Sequence, residues 1–344
     1  MSTRVTVLGA GFGGMELSTT LSESLRDEVE VTLIDSSDAF VFGFAKLDVM
    51  FGHAAADDVR LPYRSFVHPG VRMLRETVTA IDPAIRRVTT NAGTHDADVL
   101  VVALGADYDF AATPGLAAEN EFYSVAGATR LRDVLSTFER GHALVGVCGA
   151  PYKCPPAPSE CALMLHDYLS TAGVRSACEI TLVLPLPSPV PPSPDTSKAL
   201  LAAFAERGIR FMPNRRIAAV DATRRVATLD DGSELAYALF LGVPKHHAPD
   251  VVEASGLTEG GWVTVNPRTL ETRFANVYAI GDIANTGTPK AGVFAEGAAK
   301  AVAASLIARI RGAGEGRLYD GAGTCYIEFG AGRVGRVDVD FFSG

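Results

Sequence analysis

The sequence is poor in cysteine and has none before residue 148. Five occur among 344 residues: Cys148, Cys154, Cys161, Cys178 and Cys325. An odd number, in a chain whose first residues lack the pattern of an export signal, does not indicate a set of structural disulfides. The spacing also differs from that of zinc sites, so we predict no metal site. Any disulfide in this chain is therefore expected to be catalytic.

Long apolar runs and an excess of positive charge are also missing. No stretch approaches the ~20 apolar residues that span a bilayer. The formal net charge of −9 argues against nucleic acid as a partner and against strong attraction to anionic lipid. Because the chain runs from Met1 straight into an apolar strand, we expect no signal peptide and a cytoplasmic location. Peripheral contact with the inner face of the membrane and a homodimer stay open.

Apolar residues and glycine are abundant. Hydrophobic residues make up 47% of the chain and there are 34 glycines, a composition typical of a globular α/β protein. The length suits two domains of ordinary size.

The first 36 residues carry a nucleotide-binding pattern. A strand over Val5–Leu8 leads into the turn Gly9-Ala10-Gly11-Phe12-Gly13-Gly14 and a helix predicted over Met15–Ser24. A second strand, Val29–Ile34, ends in Asp35, about 20 residues beyond the glycines, where the ribose hydroxyls of a dinucleotide need an acceptor. This pattern predicts a dinucleotide bound at a helix N-terminus.

The same alternation of strands and helices continues along the chain. We predict strands over Val99–Ala103, Ala143–Val147, Ile180–Leu184, Ala238–Gly242 and Val277–Ile280, and helices near Glu160–Ser170, Ser197–Arg207 and Val293–Ile310. The prolines between Pro185 and Pro194 indicate a stiff surface connector. Alternating apolar positions in the last 34 residues suggest short strands.

The second strand–turn–helix lacks what a second nucleotide needs. Where small residues with free backbone N–H groups are required, the chain has Lys153-Cys154-Pro155-Pro156-Ala157-Pro158. Proline has no N–H to offer. Pro185 stands where an acid or an arginine would bind the second ribose. The turn therefore favours sulfur chemistry over nicotinamide.

Five segments resemble the two-dinucleotide-domain flavoproteins, and within them sulfide:quinone oxidoreductase and the flavoprotein subunit of flavocytochrome c sulfide dehydrogenase. They are the first glycine turn, Leu104-Gly105-Ala106, the Cys154 segment, Ile280-Gly281-Asp282 and the Cys325 segment, Gly323–Gly330. The two cysteine segments are the specific ones. The resemblance implies two tandem Rossmann-like domains, arranged as in glutathione reductase: an FAD domain of residues 1–110 and 245–310, a second domain of 111–244, and a C-terminal β segment of 311–344.

The resemblance also implies noncovalent FAD, since no cysteine of the first domain is available to attach it. Asp282 is expected to bind the ribityl chain, and the helix after Gly292 to direct its positive end at the flavin, stabilising the reduced ring. The residues expected to hold FAD are Gly9, Gly11, Phe12, Gly13, Gly14, Asp35, Ser36, Val78, Ala103, Leu104, Gly105, Gly281, Asp282, Lys290, Ala291 and Gly292.

A redox disulfide between Cys154 and Cys325 over the flavin is implied by the same relatives. Sulfide would attack it, leaving one cysteine as a persulfide and the other as a thiolate that reduces the flavin. Lys153 and the following helix start are expected to favour the Cys154 thiolate, and Glu160 to move protons. Either cysteine can carry the persulfide.

Other conspicuous residues have plainer interpretations. Cys148, Cys161 and Cys178 are expected to pack in the core. Lys245-His246-His247 is interpreted as a polar loop edge; the resemblance places this loop near the flavin, so a proton-handling role stays open. Trp262, Phe294, Phe341 and Phe342 are assigned to core rather than to an acceptor pocket. Compared with the relatives, the chain lacks a third cysteine near Phe122–Val125. The relatives' amphipathic C-terminal tail is either absent or follows the last residue of this sequence, Gly344.

The resulting hypothesis is an FAD-dependent enzyme that oxidises sulfide or persulfide, a small-molecule sulfur donor, and passes the electrons to a quinone. One alternative is a soluble flavoprotein subunit that delivers electrons to a heme or another protein. A second is an NAD(P)H-dependent quinone or disulfide reductase, which the prolines disfavour. A third is a flavin-binding regulatory protein without turnover.

Overall fold

Two parallel β-sheets organise the chain, and the computed structural model describes residues 2–43, 45–314 and 316–342. The first sheet has five strands in the order Val277–Ala279, Val99–Val102, Thr3–Leu8, Val29–Asp35 and Val71–Arg75. The second has four, in the order Ile209–Met212, Cys178–Val183, Gly141–Val147 and Leu239–Val243. The strands Val99–Val102, Gly141–Val147 and Leu239–Val243 are buried along most or all of their length, as expected for parallel strands covered by helices.

Within the described residues, seven α-helices connect or cover these strands: α1 (Phe12–Leu25), α2 (Ala45–Phe51), α3 (Val125–Ser136), α4 (Ala157–Thr171), α5 (Pro194–Glu206), α6 (Asp250–Ala254) and α7 (Gly292–Ile310). Helices α1 and α7 pack against each other, and α2 packs against α3 and α4. The contact of α2 with α3 and α4 brings residues 45–51 against the two helices that precede and follow the strand Gly141–Val147.

Each parallel sheet is accompanied by a three-stranded antiparallel sheet. One consists of Val78–Asp82, Arg87–Thr90 and Thr94–Asp96, and the other of Ile217–Asp221, Val226–Leu229 and Glu234–Ala236. Smaller pairings join Ala39–Val41 with Arg60–Pro62, Asp107–Asp109 with Lys245–His247, and Trp262–Thr264 with both Thr258–Glu259 and Ala284–Asn285.

The last two strands, Ala322–Glu328 and Val334–Asp340, form an antiparallel pair that we call the C-terminal hairpin. It packs on α4 and α7. Ile327 and Val337 join the hydrophobic core of the second parallel sheet. The hairpin therefore places Cys325 near the start of α4.

The predicted fold class is confirmed: two Rossmann-type parallel sheets with strands near the C-terminus. The predicted helix starts were late by three residues at three positions, since α1 begins at Phe12, α4 at Ala157 and α5 at Pro194. The capping residues of α1 and α4 are Gly11 and Pro156, which provide no side-chain hydrogen bond. Without a Ser, Thr, Asp or Asn cap, the sequence marks a helix start poorly.

Candidate functional site

The first glycine turn leaves the N-terminus of α1 open. A Cβ on Gly14 would lie 1.9 Å from the carbonyl oxygen of Gly9, so only glycine lets the helix approach the strand this closely. A Cβ on Gly11, in contrast, would meet no described atom within 4 Å. The helix thus presents free N–H groups beside empty space, an arrangement that fits a pyrophosphate.

Asp35 is fixed at the end of the second strand. Its carboxylate oxygens accept hydrogen bonds from the backbone N–H groups of Ala10 and Ser37, both at 2.7 Å. Ser36 beside it is exposed, and Val78 lies at the start of a strand packed against the first core. The acid and the glycine turn therefore form one rigid unit, as a ribose-binding residue requires.

Two further segments predicted for the cofactor lie beside this turn. A Cβ on Gly9 would fall 2.3 Å from the carbonyl oxygen of Ala103 and 3.0 Å from Cα of Leu104, so the segment that continues to Gly105 lies directly against the turn. A Cβ on Gly292 would lie 2.9 Å from the Phe12 ring. The N-termini of α1 and α7 therefore lie close together, and Gly13 of α1 faces α7.

Helix α7 also begins without a side-chain cap, because its capping residue is Ala291. Two unsatisfied helix N-termini that converge on glycine-lined space suit a cofactor with a diphosphate and an electron-accepting ring. The residues present fit FAD.

Lys290, just before α7, and Asp282 form a pair of neighbouring opposite charges. Lys290 is 7% exposed, and its Nζ donates to the backbone carbonyl of Asp282, which follows Gly281. The same Nζ lies 3.4 Å from the centre of the Trp262 ring. Burial lowers the pKa of Lys290 to about 8, against the favourable charge of Asp282. Burial also raises the pKa of Asp282, while the lysines around it oppose the rise.

Cys154 lies against this pair in a strained backbone conformation. Its φ is 46°, in the left-handed region that a side chain makes unfavourable. Its N–H donates to the carbonyl of Lys290 at 2.6 Å, and its own carbonyl accepts from Ala157 at 3.0 Å. These bonds hold the thiol at the start of α4.

Glu160 links Cys154 to the C-terminal hairpin. It lies on the first turn of α4, is 7% exposed, and accepts a hydrogen bond from the N–H of Glu328 at 2.8 Å. Burial raises the pKa of Glu160 to about 7, and the Glu328 N–H opposes the rise. Cys325 is three residues before Glu328 on the same strand.

The two cysteines and Glu160 share one electrostatic environment. Burial raises the pKa of Cys154, and the charges of Glu160 and Cys325 raise it further. Burial and Glu160 also raise the pKa of Cys325. All five cysteines are free thiols in the structure. The site can therefore hold two protonated thiols beside a carboxylate that titrates near neutrality.

The predicted influence of Lys153 on Cys154 is wrong. The Nζ of Lys153 lies 4.6 Å from the centre of the Tyr108 ring and 3.5 Å from its hydroxyl. The lysine whose charge lowers the pKa of Cys154 is Lys46, on α2, and burial outweighs it, so the pKa is raised overall. The sequence offers no motif that would have singled out Lys46.

The interpretation of His246 as a polar loop edge is also wrong. The residue lies in the strand paired with Asp107–Asp109 and is 3% exposed. The rings of Tyr108 and Tyr123 meet it edge-on, at centroid distances of 4.9 and 5.4 Å. Its Nδ1–H donates to the carbonyl of Pro244 at 2.9 Å, and Nε2 has no partner among the described residues. Burial and the charge of Lys153 lower the pKa of His246 to about 3.

The assignment to the core is confirmed for three cysteines and for Phe294, whereas Trp262, Phe341 and Phe342 are only partly buried. Cys148, Cys161 and Cys178 are buried in the core. Phe294 is buried against Phe341, with ring centroids 5.5 Å apart, while Phe342 packs edge-on against Tyr319.

A family model described as pyridine nucleotide-disulphide oxidoreductase matches residues 3–305. The chain belongs to this family. It is an FAD-dependent oxidoreductase. No helix in the described part of this oxidoreductase has the length and apolar character needed to cross a membrane.

Individual relatives show which members of the family this chain resembles. The mitochondrial sulfide:quinone oxidoreductase of Mus musculus is 24% identical over 355 residues, covering 98% of this oxidoreductase and 78% of the relative. The solved structure of the sulfide:quinone oxidoreductase from Aquifex aeolicus has a TM-score of 0.87 at 22% identity, covers 98% of this chain and 87% of its own, and shows the shared fold. A type II NADH:quinone oxidoreductase of Staphylococcus saprophyticus is 36% identical over 104 residues, 30% of this chain and 26% of that protein.

Proposed function

We propose that this protein oxidises sulfide through a redox disulfide between Cys154 and Cys325 and passes the electrons through FAD to a quinone. The observation that carries the proposal is the convergence of both thiols and Glu160 beside Asp282 and Lys290. The sulfide:quinone oxidoreductases among its relatives support the donor and the acceptor.

The two cysteines supply the sulfur chemistry. Closing the disulfide from two thiols releases two electrons and two protons; bound FAD supplies the two-electron acceptor. Hydrosulfide then bonds to one sulfur and the S–S bond breaks, so that one cysteine becomes a persulfide and the other leaves as a thiolate. A nucleophilic acceptor removes the outer sulfur, which leaves a thiol pair ready to close again.

Glu160 handles the protons of this cycle. Both thiols are protonated at neutral pH because burial raises the pKa of each. A carboxyl group with a pKa of about 7 is matched to accept a proton at neutral pH and return it to solvent.

The turn that contains Cys154 argues against the alternative of an NAD(P)H-dependent reductase. The Cys154 N–H is occupied by the carbonyl of Lys290, and the prolines at 155, 156 and 158 have no N–H. Few donors remain there for a second pyrophosphate.

Anaerobic titration with sulfide, followed by the flavin absorbance, tests the proposal. We expect sulfide to reduce the wild-type flavin, while Cys154→Ser and Cys325→Ser keep FAD but are not reduced. Cys161→Ser, a buried cysteine on the same helix as Glu160, is the matched control and should behave as wild type. Reduction by NADH and not by sulfide would refute the proposal, as would unchanged kinetics in Cys154→Ser.

The acceptor is tested with the reduced enzyme. A water-soluble quinone should reoxidise the flavin in a single turnover. If the flavin stays reduced with quinone, the acceptor is a protein, as the electron-transfer alternative requires.

A further inference from the structure

A tyrosine holds the backbone of the turn that contains Cys154. The hydroxyl of Tyr123 donates to the carbonyl of Lys153 at 2.9 Å. This carbonyl belongs to the peptide group that joins Lys153 to Cys154, and the orientation of that group sets the φ angle of Cys154. The hydrogen bond from Tyr123 therefore acts on the backbone conformation of the cysteine.

A second hydrogen bond holds the same peptide group at its other side. The N–H of Cys154 donates to the carbonyl of Lys290 at 2.6 Å. Because a peptide group is planar, bonds to both its oxygen and its hydrogen fix its orientation. A side chain at a φ of 46° persists only where the surroundings impose that conformation. The bonds from Tyr123 and to Lys290 are the contacts that impose it on Cys154.

Tyr123 is itself held in place. It is 1% exposed and packs in the core of the second parallel sheet. Its N–H donates to the Glu121 carboxylate at 2.7 Å, its carbonyl accepts from the Tyr108 hydroxyl at 2.8 Å, and the His246 ring meets it edge-on. Burial raises the pKa of Tyr123, so its hydroxyl keeps its proton and remains a donor. The backbone carbonyl of Lys153 is therefore held by a rigid group.

The hydrogen bonds around Tyr123 return to the residue before Cys154. The Nζ of Lys153 lies 3.5 Å from the Tyr108 hydroxyl, and that hydroxyl donates to the Tyr123 carbonyl. The Tyr123 hydroxyl then donates to the Lys153 carbonyl. Three residues that are distant in sequence thus form a closed loop of contacts on one side of the cysteine.

We propose that Tyr123 is a positioning residue for the redox disulfide, because its hydroxyl holds the Lys153–Cys154 peptide in the orientation that directs the Cys154 thiol toward Cys325. Two thiols close into a disulfide only from a narrow range of relative positions. A peptide that is free to rotate occupies this range less often, so the disulfide becomes less favourable. The inference rests on the proposed function, since it concerns the same pair of cysteines.

Tyr123→Phe removes the hydroxyl and keeps the ring. The disulfide is measured anaerobically on the holoenzyme at equilibrium with mixtures of oxidised and reduced dithiothreitol. The two thiols give two electrons and two protons to the oxidised reagent, which becomes its dithiol, and alkylation with mass spectrometry gives the bonded fraction. We expect the variant to require a roughly 5-fold higher ratio of oxidised to reduced reagent, the factor that a typical hydrogen bond provides. An unchanged ratio would overturn the proposal.

Tyr237→Phe is the matched control. Tyr237 is also buried and its hydroxyl donates to Glu119 at 2.6 Å, but it belongs to a different hydrophobic core. This variant should leave the disulfide equilibrium as in the wild type. Shifts of equal size in both variants would mean that loss of any buried hydroxyl weakens the disulfide, and the specific role of Tyr123 would be wrong.

Hydrogen exchange provides a measurement that needs neither sulfide nor a disulfide. The prolines of the turn have no amide hydrogen, so residues 153–158 carry exchangeable N–H groups only at Lys153, Cys154 and Ala157. With the cysteines reduced, we expect these amides to exchange roughly 5-fold faster in Tyr123→Phe than in the wild type or in Tyr237→Phe. The reason is that the Cys154 N–H leaves Lys290 when its peptide group rotates.

The two measurements distinguish the positioning role from the proposed function. If exchange is faster in Tyr123→Phe but the wild type forms no bond between Cys154 and Cys325 at any ratio of reagents, the proposed function is wrong and Tyr123 still holds the Cys154 peptide. If the wild type forms the bond and exchange is unchanged in the variant, the proposed function stands and the role of Tyr123 is wrong.

Discussion

Cys154 is a thiol that its surroundings keep protonated. Burial is the largest effect on its pKa, and Glu160 and Cys325 act in the same direction. Such a thiol is a poor nucleophile until a base removes its proton. Glu160 is suited to this task, because its own burial brings its pKa to about 7. We therefore expect that formation of the disulfide depends on transfer of the Cys154 proton to Glu160.

Glu160→Gln tests this coupling. In the wild type the maximal rate of flavin reduction at saturating sulfide should rise with pH through 7, because the carboxylate, the base form, prevails above its pKa. The variant should lose this rise and be slower by roughly 10²-fold, while its amide oxygen still accepts from Glu328. Stopped-flow measurements across pH 5.5–8.5 check the profile.

Asp167→Asn is the control for that experiment. Asp167 also lies on α4 and accepts from a hairpin N–H, that of Ala331. It contacts the same hairpin through the same kind of bond. If both variants change the rate equally, Glu160 acts by positioning the hairpin and not by taking a proton.

At the scale of elements, the C-terminal hairpin determines where Cys325 lies in the site. It is a two-stranded sheet, which is marginal alone, so its order comes from docking. Ile327 is fully buried in the second core, and Arg207 donates to the carbonyl of Phe329 at 3.1 Å. The position of Cys325 therefore depends on contacts with the second parallel sheet and its helices.

Ile327→Ala should loosen this docking. Loss of a fully buried isoleucine costs about 2–5 kcal/mol, which is enough to open a local element before the domains unfold. We expect faster alkylation of Cys325 by iodoacetamide and slower reduction by sulfide, with FAD retained. Val334→Ala, on the exposed face of the same hairpin, should change neither. Equal alkylation rates in the two variants would mean that Ile327 does not anchor the hairpin.

The sequence predicts secondary-structure elements better than it predicts which side chains lie close together in the fold. Strand and helix identities, the glycine turn and the buried structural cysteines follow from local patterns and agree with the structure. The charge of Lys46 near Cys154 and the burial of His246 were not predicted, because each depends on packing between elements that are distant along the chain. The sign of the Cys154 pKa shift was wrong because desolvation depends on all the surrounding segments, whereas the sequence shows only the adjacent lysine.

At the scale of the whole molecule, the cofactor joins parts that are distant in sequence. The residues that fit it come from α1, the end of the second strand, the Leu104-Gly105 segment, the Gly281-Asp282 turn and the start of α7. A ligand that binds only the folded state stabilises it by about 2.7 kcal/mol at 100 times its Kd. FAD is therefore expected to hold these distant segments together.

Two glycine substitutions distinguish a residue that FAD binding requires from a residue that the folded apoprotein requires. Gly11→Ala adds a methyl group in open space at an ordinary φ of −76°, so the apoprotein should melt as wild type but lose FAD. Gly14→Ala places a methyl group against the Gly9 carbonyl and should lower the melting temperature of the apoprotein itself. Thermal melts with and without FAD, together with flavin absorbance after desalting, provide the measurement. Retention of FAD by Gly11→Ala would place the pyrophosphate elsewhere.

Trp262 is the one tryptophan of the sequence, and the ammonium group of Lys290 lies over its ring. All indole fluorescence of the molecule therefore originates beside Lys290, the residue whose carbonyl accepts from the Cys154 N–H. Emission should respond to the loading of flavin and to the protonation of Lys290, without any attached dye. The protein carries a natural optical probe, which makes its redox cycle observable in real time.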